Sequence, residues 1–190
     1  MGESLPSREE ALRILEEAGC PRGVIEHCKD VAALALDIAR ACLRAGAEVD
    51  VRLVEAGALI HDIGRSRTHS IAHVFVGAEL ARQMGLDGRI VRVILTHSCG
   101  VSPGVAEEMG WPPGTYEPET LEEKIVAYAD KLVEKGRVLS FEEALEKLVE
   151  ELGPEHPAVR NLVRVREELL SLLGGELDAC CRPGKSLRPS

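Results

Sequence analysis

Aromatic side chains are scarce in this sequence, at 3% of 190 residues against 45% hydrophobic overall. The apolar mass is therefore Leu, Val, Ala and Ile, which favours helices packed on helices over an aromatic-rich sheet core. Amides are scarcer still, with Asn161 the sole Asn and Gln83 the sole Gln. A buried histidine or aspartate then has few neutral side chains to pair with. No C-x-x-C pair occurs among Cys20, Cys28, Cys42, Cys99, Cys180 and Cys181, which argues against a zinc knuckle or a secreted disulfide framework and for reduced thiols used as small hydrophobes. No apolar run approaches the ~20 residues of a membrane span. The first residues, Met1-Gly2-Glu3-Ser4-Leu5-Pro6, show no signal-peptide pattern, so a cytoplasmic location is expected. A basic excess is missing too: the net charge of −9 argues against nucleic acid or an anionic membrane as the main partner and fits a solvated acidic surface.

What is present is a succession of helical patterns. Ser7 and Glu10 form a capping box for a first helix that Gly19 stops. Pro21 opens a long helix to about Ala45, with Val24, Val31, Leu34, Ile38 and Cys42 on one stripe together with His27. Asp50 caps a third helix that runs through Ile60 into His61-Asp62 and stops at Gly64. Further helices are expected over 71–84, from Asp87 to His97, over 119–135, from Ser140 to Leu152 and over 154–173. The stretch from Gly100 to Pro118 is irregular, with four prolines, four glycines, the sole Trp (Trp111) and one short helix over 105–109. No hairpin signal, repeat or internal boundary is found. The expected fold class is all-α, a single-domain helical bundle, with residues 176–190 as a poorly ordered tail.

Several positions break apolar helix faces with groups that can bind a metal: His27, His61-Asp62, His73, His97 and Asp130, each on a different expected helix. Inward projection from facing helices is how a bundle builds a metal site. Taken singly, each has an ordinary alternative. A histidine on an apolar face is commonly a hydrogen-bonded core residue, and Asp130 could pair with Lys131 or Arg137. Taken together they would each need a separate polar partner in a chain almost devoid of amides. A shared divalent transition metal satisfies them at once, and imidazole plus carboxylate without thiolate suits Mn, Fe, Co, Ni or Zn.

The order His27, His61-Asp62, Asp130 resembles the HD-domain superfamily of metal-dependent phosphohydrolases, and His61-Asp62-Ile63-Gly64 matches its HDIG variant. The stretches around it agree. His27-Cys28-Lys29-Asp30-Val31-Ala32 resembles the family's first-histidine helix. His73-Val74-Phe75-Val76-Gly77-Ala78 and Ile94-Leu95-Thr96-His97-Ser98-Cys99-Gly100 resemble segments of members with two metals, and Lys124-Ile125-Val126-Ala127-Tyr128-Ala129-Asp130-Lys131 resembles their closing helix. The resemblance divides the chain into an N-terminal helix (1–20), an HD core (21–153), a helix packed on that core (154–175) and the tail. It implies that His27, His61, Asp62 and Asp130 hold a first ion and that Asp62 bridges to a second ion held by His73 and His97. The chain also resembles small stand-alone HDIG proteins, one branch of which cleaves dinucleoside tetraphosphates.

Where many HDIG proteins carry Lys after the motif, this chain has Arg65, which keeps the charge with a planar fork. Asp62, Arg65 and Lys131 are the candidate catalytic residues. Arg65, His69 and Arg137 are candidate contacts to substrate phosphate, with a plain loop position as the alternative for His69 and a solvated helix end for Arg137. His156 reads as structural. The implied activity is hydrolysis of a phosphomonoester, nucleotide or nucleoside polyphosphate by a metal-activated water. A diiron oxygenase on the same fold and a non-catalytic nucleotide-sensing domain are the alternatives. Nothing in the pattern marks an apolar face for self-association.

Overall fold

Side-chain caps fix where most helices begin. The Ser7 hydroxyl accepts from the Glu10 N–H while the Glu10 carboxylate accepts from the Ser7 N–H, opening α1 (Arg8–Glu17). Ser140 and Glu143 repeat this box at α8 (Phe141–Leu152). Asp50, Asp87 and Thr120 cap α3 (Val51–Ile60), α5 (Gly88–Thr96) and α7 (Leu121–Leu132) through single side-chain acceptors. The chain is seen here as a computed structural model that describes residues 5–112, 114 and 116–187. The remaining α-helices among the described residues are α2 (Arg22–Arg44), α4 (His73–Gln83), α6 (Pro103–Glu108), α9 (Pro157–Leu173) and α10 (Gly175–Cys180).

Helix α2 is the axis of the bundle. Val31, Leu34, Ala35, Ile38, Ala39 and Cys42 are fully buried, and α2 packs on α3 and α7, with α10 and α9 also against it. α5 packs on α3, α4 and α7, and closes the group of helices that carries the polar cluster. The core is aliphatic, as the composition dictates: Tyr128 is its one fully buried aromatic side chain among the described residues. No helix among the described residues is long and apolar enough to cross a membrane.

Two expectations are corrected. Helix α7 stops at Leu132, and Val133–Glu134 pairs antiparallel with Arg137–Val138 (β1 and β2) where a helix to Lys135 was expected. Lys135 and Gly136 both take positive φ, 48° and 82°, which is the two-residue hairpin turn. Strands of two residues carry no alternation to read, and Leu132-Val133 continues the helical apolar stripe. The expected tail is ordered as far as it is described: Gly174 (φ 54°) turns the chain into α10, Leu177 is fully buried, and Lys185 reaches Asp37 at 2.7 Å. Its backbone extends the hairpin, with the Val138 N–H donating to Lys185 O at 3.1 Å. Residues 188–190 of that tail lie outside the described residues.

Gly64 also differs from a simple helix stop. A Cβ there would sit 2.0 Å from the His73 carbonyl oxygen and 2.7 Å from the Gly77 nitrogen. The glycine is what lets the 3-10 turn Ile63–Ser66 lie directly on α4. That contact sets His73 beside Asp62.

Candidate metal centre

Helix α3 is almost wholly apolar, and its last turn delivers His61 and Asp62 into the protein interior. Asp62 leaves helical geometry, with φ −100° and ψ 16°. The break lets two consecutive side chains converge, whereas in a continuing helix they would diverge by about 100°. His73 opens α4, His97 follows the end of α5, His27 comes from the second turn of α2, and Asp130 from the last turn of α7.

Three of the imidazoles are oriented the same way. Nδ1 of His61 donates to Ala58 O at 2.7 Å, Nδ1 of His73 to Ser70 O at 2.8 Å, and Nδ1 of His97 to Ile94 O at 2.7 Å. A carbonyl oxygen only accepts, so each Nδ1 carries the proton, and a neutral ring then offers its Nε2 lone pair. The three Nε2 atoms point into one volume. His73 Nε2 and His97 Nε2 are 3.1 Å apart, and both approach Asp62 Oδ1, at 3.2 and 3.5 Å. On the other side, Asp62 Oδ2 lies 3.9 Å from His61 Nε2, and Asp130 Oδ1 lies 3.4 Å from His61 Nε2 and 2.9 Å from His27 Nε2. Asp62 thus turns one oxygen to each half of the cluster.

The residues fit a cation by their unmet bonding capacity. His61 Nε2 and Asp62 Oδ1 are buried with no hydrogen-bond partner. Such an atom costs roughly 1–3 kcal/mol when left unsatisfied. Two groups, His27–His61–Asp130 and His61–Asp62–His97, each bring three ligand atoms within 4.8 Å of one another. Nitrogen and carboxylate donors without a thiolate match a divalent transition metal. The nearby Cys28 thiol is buried, and that burial pushes its pKa up, so it stays protonated. Fixing each ring through Nδ1 to a carbonyl is what a metal-binding histidine requires of its surroundings.

The electrostatics agree. Burial alone would raise the Asp62 carboxyl, but the His61 ring, whose own pKa the neighbouring carboxylates hold well above the usual value against burial when no cation is bound, outweighs it and keeps Asp62 well below its usual range. Asp130 behaves alike: burial opposes ionisation, while the Lys131 ammonium at 2.6 Å and the His27 and His61 rings overcome it. Both carboxylates are therefore anionic and able to bind a cation. His97 is driven the other way, to about 4, chiefly by burial, and stays neutral with its lone pair free.

A cavity of about 380 Å³ opens on this cluster, walled in part by His73, His97, Asp130, Lys131, Arg65 and His69. Arg65 Nε donates to Asp62 Oδ2 at 2.6 Å, and its Nη1 reaches the His69 carbonyl at 3.5 Å. His69 is exposed at the cavity rim. Arg137 is not brought here. It sits on β2, half exposed and 3.7 Å from Glu134, and does not line the cavity. In the sequence only its charge points to the site, and the β1–β2 hairpin carries it away. Helices α8 and α9, to which no sequence motif points, also supply Leu148, Glu151, Leu152 and His156 to the cavity wall. A second cavity of about 690 Å³ shares Val101 with the first and is lined by Trp111, Tyr116, Pro157 and Arg160. Trp111 stacks on Phe75, with ring centroids 5.5 Å apart, and so forms a fixed wall.

Residues 24–134 match the HD domain model. An uncharacterized protein of Methanocaldococcus jannaschii is 42% identical over 87% of this chain and 98% of its own length. The tRNA (cytidine(56)-2'-O)-methyltransferase of Picrophilus torridus is 37% identical over 92% of this chain, which spans about half (49%) of that protein. Among solved structures, the HD domain of the L. monocytogenes phosphodiesterase PgpH in complex with cyclic-di-AMP superposes with a TM-score of 0.51 at 19% identity, covering 87% of this chain and 95% of that one. The PgpH similarity concerns the fold, and the similarities to the M. jannaschii and P. torridus proteins concern sequence across nearly the whole chain. With the helical order, the His-Asp cluster and the family match in agreement, the chain belongs to the HD domain family.

Proposed function

We propose that the protein hydrolyses a phosphate ester with the help of two divalent transition-metal ions. The observation that carries the reading is the convergence of three Nδ1-anchored imidazoles and two carboxylates on one buried volume in which His61 Nε2 and Asp62 Oδ1 have no partner. Ions held there would supply a water of lowered pKa and neutralise charge building up at phosphorus. His27, His61, Asp62 and Asp130 would hold one ion, and Asp62, His73 and His97 the other.

The chain's own groups do the rest. Arg65, anchored on Asp62 through Nε, has its remaining N–H groups near the cavity, where a guanidinium fork can grip non-bridging oxygens. Lys131, anchored on Asp130, adds a second fixed cation. Burial works against the Lys131 charge, but Asp130 beside it raises its pKa, so it remains an ammonium. Both cations are locked by their carboxylates and need little reorganisation when an anion arrives.

The size of the cleft favours a small substrate, a phosphomonoester, nucleotide or nucleoside polyphosphate, over a polymer. The adjoining cavity beside Trp111 and Tyr116 gives room for a nucleoside. The cyclic-di-AMP in the PgpH complex is compatible with a nucleotide, and the net charge of −9 weighs against a nucleic-acid strand. The test is a phosphate-release screen over nucleotides and small esters, using protein stripped with chelator and reloaded with Mn, Co, Ni, Fe or Zn. Release that depends on the added metal, and that Asp62→Ala abolishes, is the expected result. A fully loaded protein that releases no phosphate from any of them would contradict the reading.

A further inference from the structure

His156 lies beyond the segment that matches the family model and takes no part in the metal cluster. It nevertheless lines the same cavity as His73, His97, Asp130 and Lys131. It is also the N-cap of α9, where its Nδ1 accepts the Ala158 N–H at 3.2 Å. Histidine is not among the residues that make good N-caps; Ser, Thr, Asp and Asn do that work better. A side chain that breaks the local rule while facing a functional cavity invites a second role.

The hydrogen bond settles the chemistry of the ring. An atom that accepts an N–H carries no proton, so the proton of the neutral imidazole is on Nε2. This is the reverse of His61, His73 and His97, whose Nδ1 atoms donate to carbonyls. Those three rings are set to give a lone pair to a cation. His156 is set to give an N–H to an oxygen. Burial, and then the Arg160 guanidinium, lower its pKa and keep the ring neutral. A neutral ring with Nδ1 already engaged cannot release its Nε2 proton without becoming an imidazolate, so it is not suited to act as a general acid.

We infer that His156 is a substrate-binding residue, a neutral Nε2–H donor on α9 that holds a non-bridging oxygen of a phosphate group across the cleft from the metal ligands. The inference rests on the phosphohydrolase reading. It adds that residues outside the family segment help to hold the anion. A bond of this kind is made in the ground state and the transition state alike, so it acts on KM and leaves kcat nearly untouched.

His156→Ser separates the two roles, because serine keeps a capping side chain and removes the imidazole. With the manganese-loaded protein, the expected result is thermal unfolding at or above the wild-type temperature, about tenfold weaker binding of inorganic phosphate by calorimetry, and about tenfold higher KM with kcat within threefold. A long-range proton–nitrogen spectrum of the metal-free protein, which needs no substrate, is expected to show His156 as the Nε2–H tautomer at neutral pH. A ring protonated at Nδ1, or a folded His156→Ser protein whose phosphate affinity is within twofold of wild type, overturns the inference and leaves the hydrolase reading standing. A wild-type protein that is fully metal-loaded but neither binds nor releases phosphate overturns the hydrolase reading, and this assignment with it.

Discussion

The Nε2 atoms of His73 and His97 face each other at 3.1 Å, and neither ring can turn over to place a proton between them without giving up the carbonyl that its Nδ1 holds. With each Nδ1 donating to its carbonyl, the two Nε2 atoms turn their lone pairs toward each other in a buried site. A cation would resolve the conflict, and metal binding would then be coupled to folding. Chelation is expected to lower Tm. A ligand at a hundredfold excess over its Kd contributes about 2.7 kcal/mol. In a domain of this size that corresponds to roughly 5–10 °C. Differential scanning calorimetry with and without chelator, followed by metal add-back, checks it.

Gly64 is expected to tolerate no side chain. The Cβ of Gly64→Ala would meet two backbone atoms of α4, at 2.0 and 2.7 Å, so the 3-10 turn must move off the helix. The cost is expected at about 3 kcal/mol, the upper end for an overpacked core, with reduced metal content because His73 shifts relative to Asp62. Gly23→Ala is the control. Nothing lies within 4 Å of its Cβ, and the site is inside α2. It should stabilise by about 0.5–1 kcal/mol. Urea unfolding midpoints separate the two.

Asn161 holds the turn that follows His97. Its Nδ2 donates to Cys99 O at 2.9 Å, and Cys99 itself has a positive φ of 64°, uncommon for a residue with a side chain. Asn161→Ala strands that carbonyl and is expected to cost about 1–3 kcal/mol. Asn161→Asp should do no better, since a carboxylate would face the carbonyl without a proton to donate. Chemical denaturation gives the cost, and metal dissociation rates show whether His97 loosens with it.

The acid limb of the stability curve should depend on Asp87. Its hydrogen bonds from the Arg89 side chain outweigh burial and hold its pKa below the usual 3.8. A carboxylate with a depressed folded pKa contributes stability above its unfolded value, and loses that contribution as pH falls through the folded one. Wild type and Asp87→Asn should therefore differ near neutral pH and converge below about pH 4. Unfolding at a series of pH values reads this directly. Parallel curves down to pH 3 would contradict it.

The six converging residues were visible in the sequence because each is a polar group placed on an apolar helix stripe, and periodicity alone shows that His27 shares a face with Val24, Val31 and Leu34. The helices were legible through their caps, notably Ser7, Asp50, Asp87 and Ser140. What escaped depends on tertiary contact. The Lys135-Gly136 turn is too short to carry a pattern, and the order of the segment after Gly175 comes from Leu177 and Lys185 finding partners on distant elements. Arg137 shows only its charge in the sequence, and charge says nothing of direction. The tautomer of His156 follows from one backbone N–H that no spacing rule reveals.

Metal analysis of purified protein beside its Asp62→Ala variant tests the central claim most directly. Asp62 turns Oδ1 to His73 and His97 and Oδ2 to His61, so it belongs to both halves of the cluster. Two equivalents of a divalent transition metal in wild type, falling to one or none in a folded Asp62→Ala protein with no metal-dependent phosphate release, is the predicted result. A variant that keeps full metal content and full activity would contradict the account.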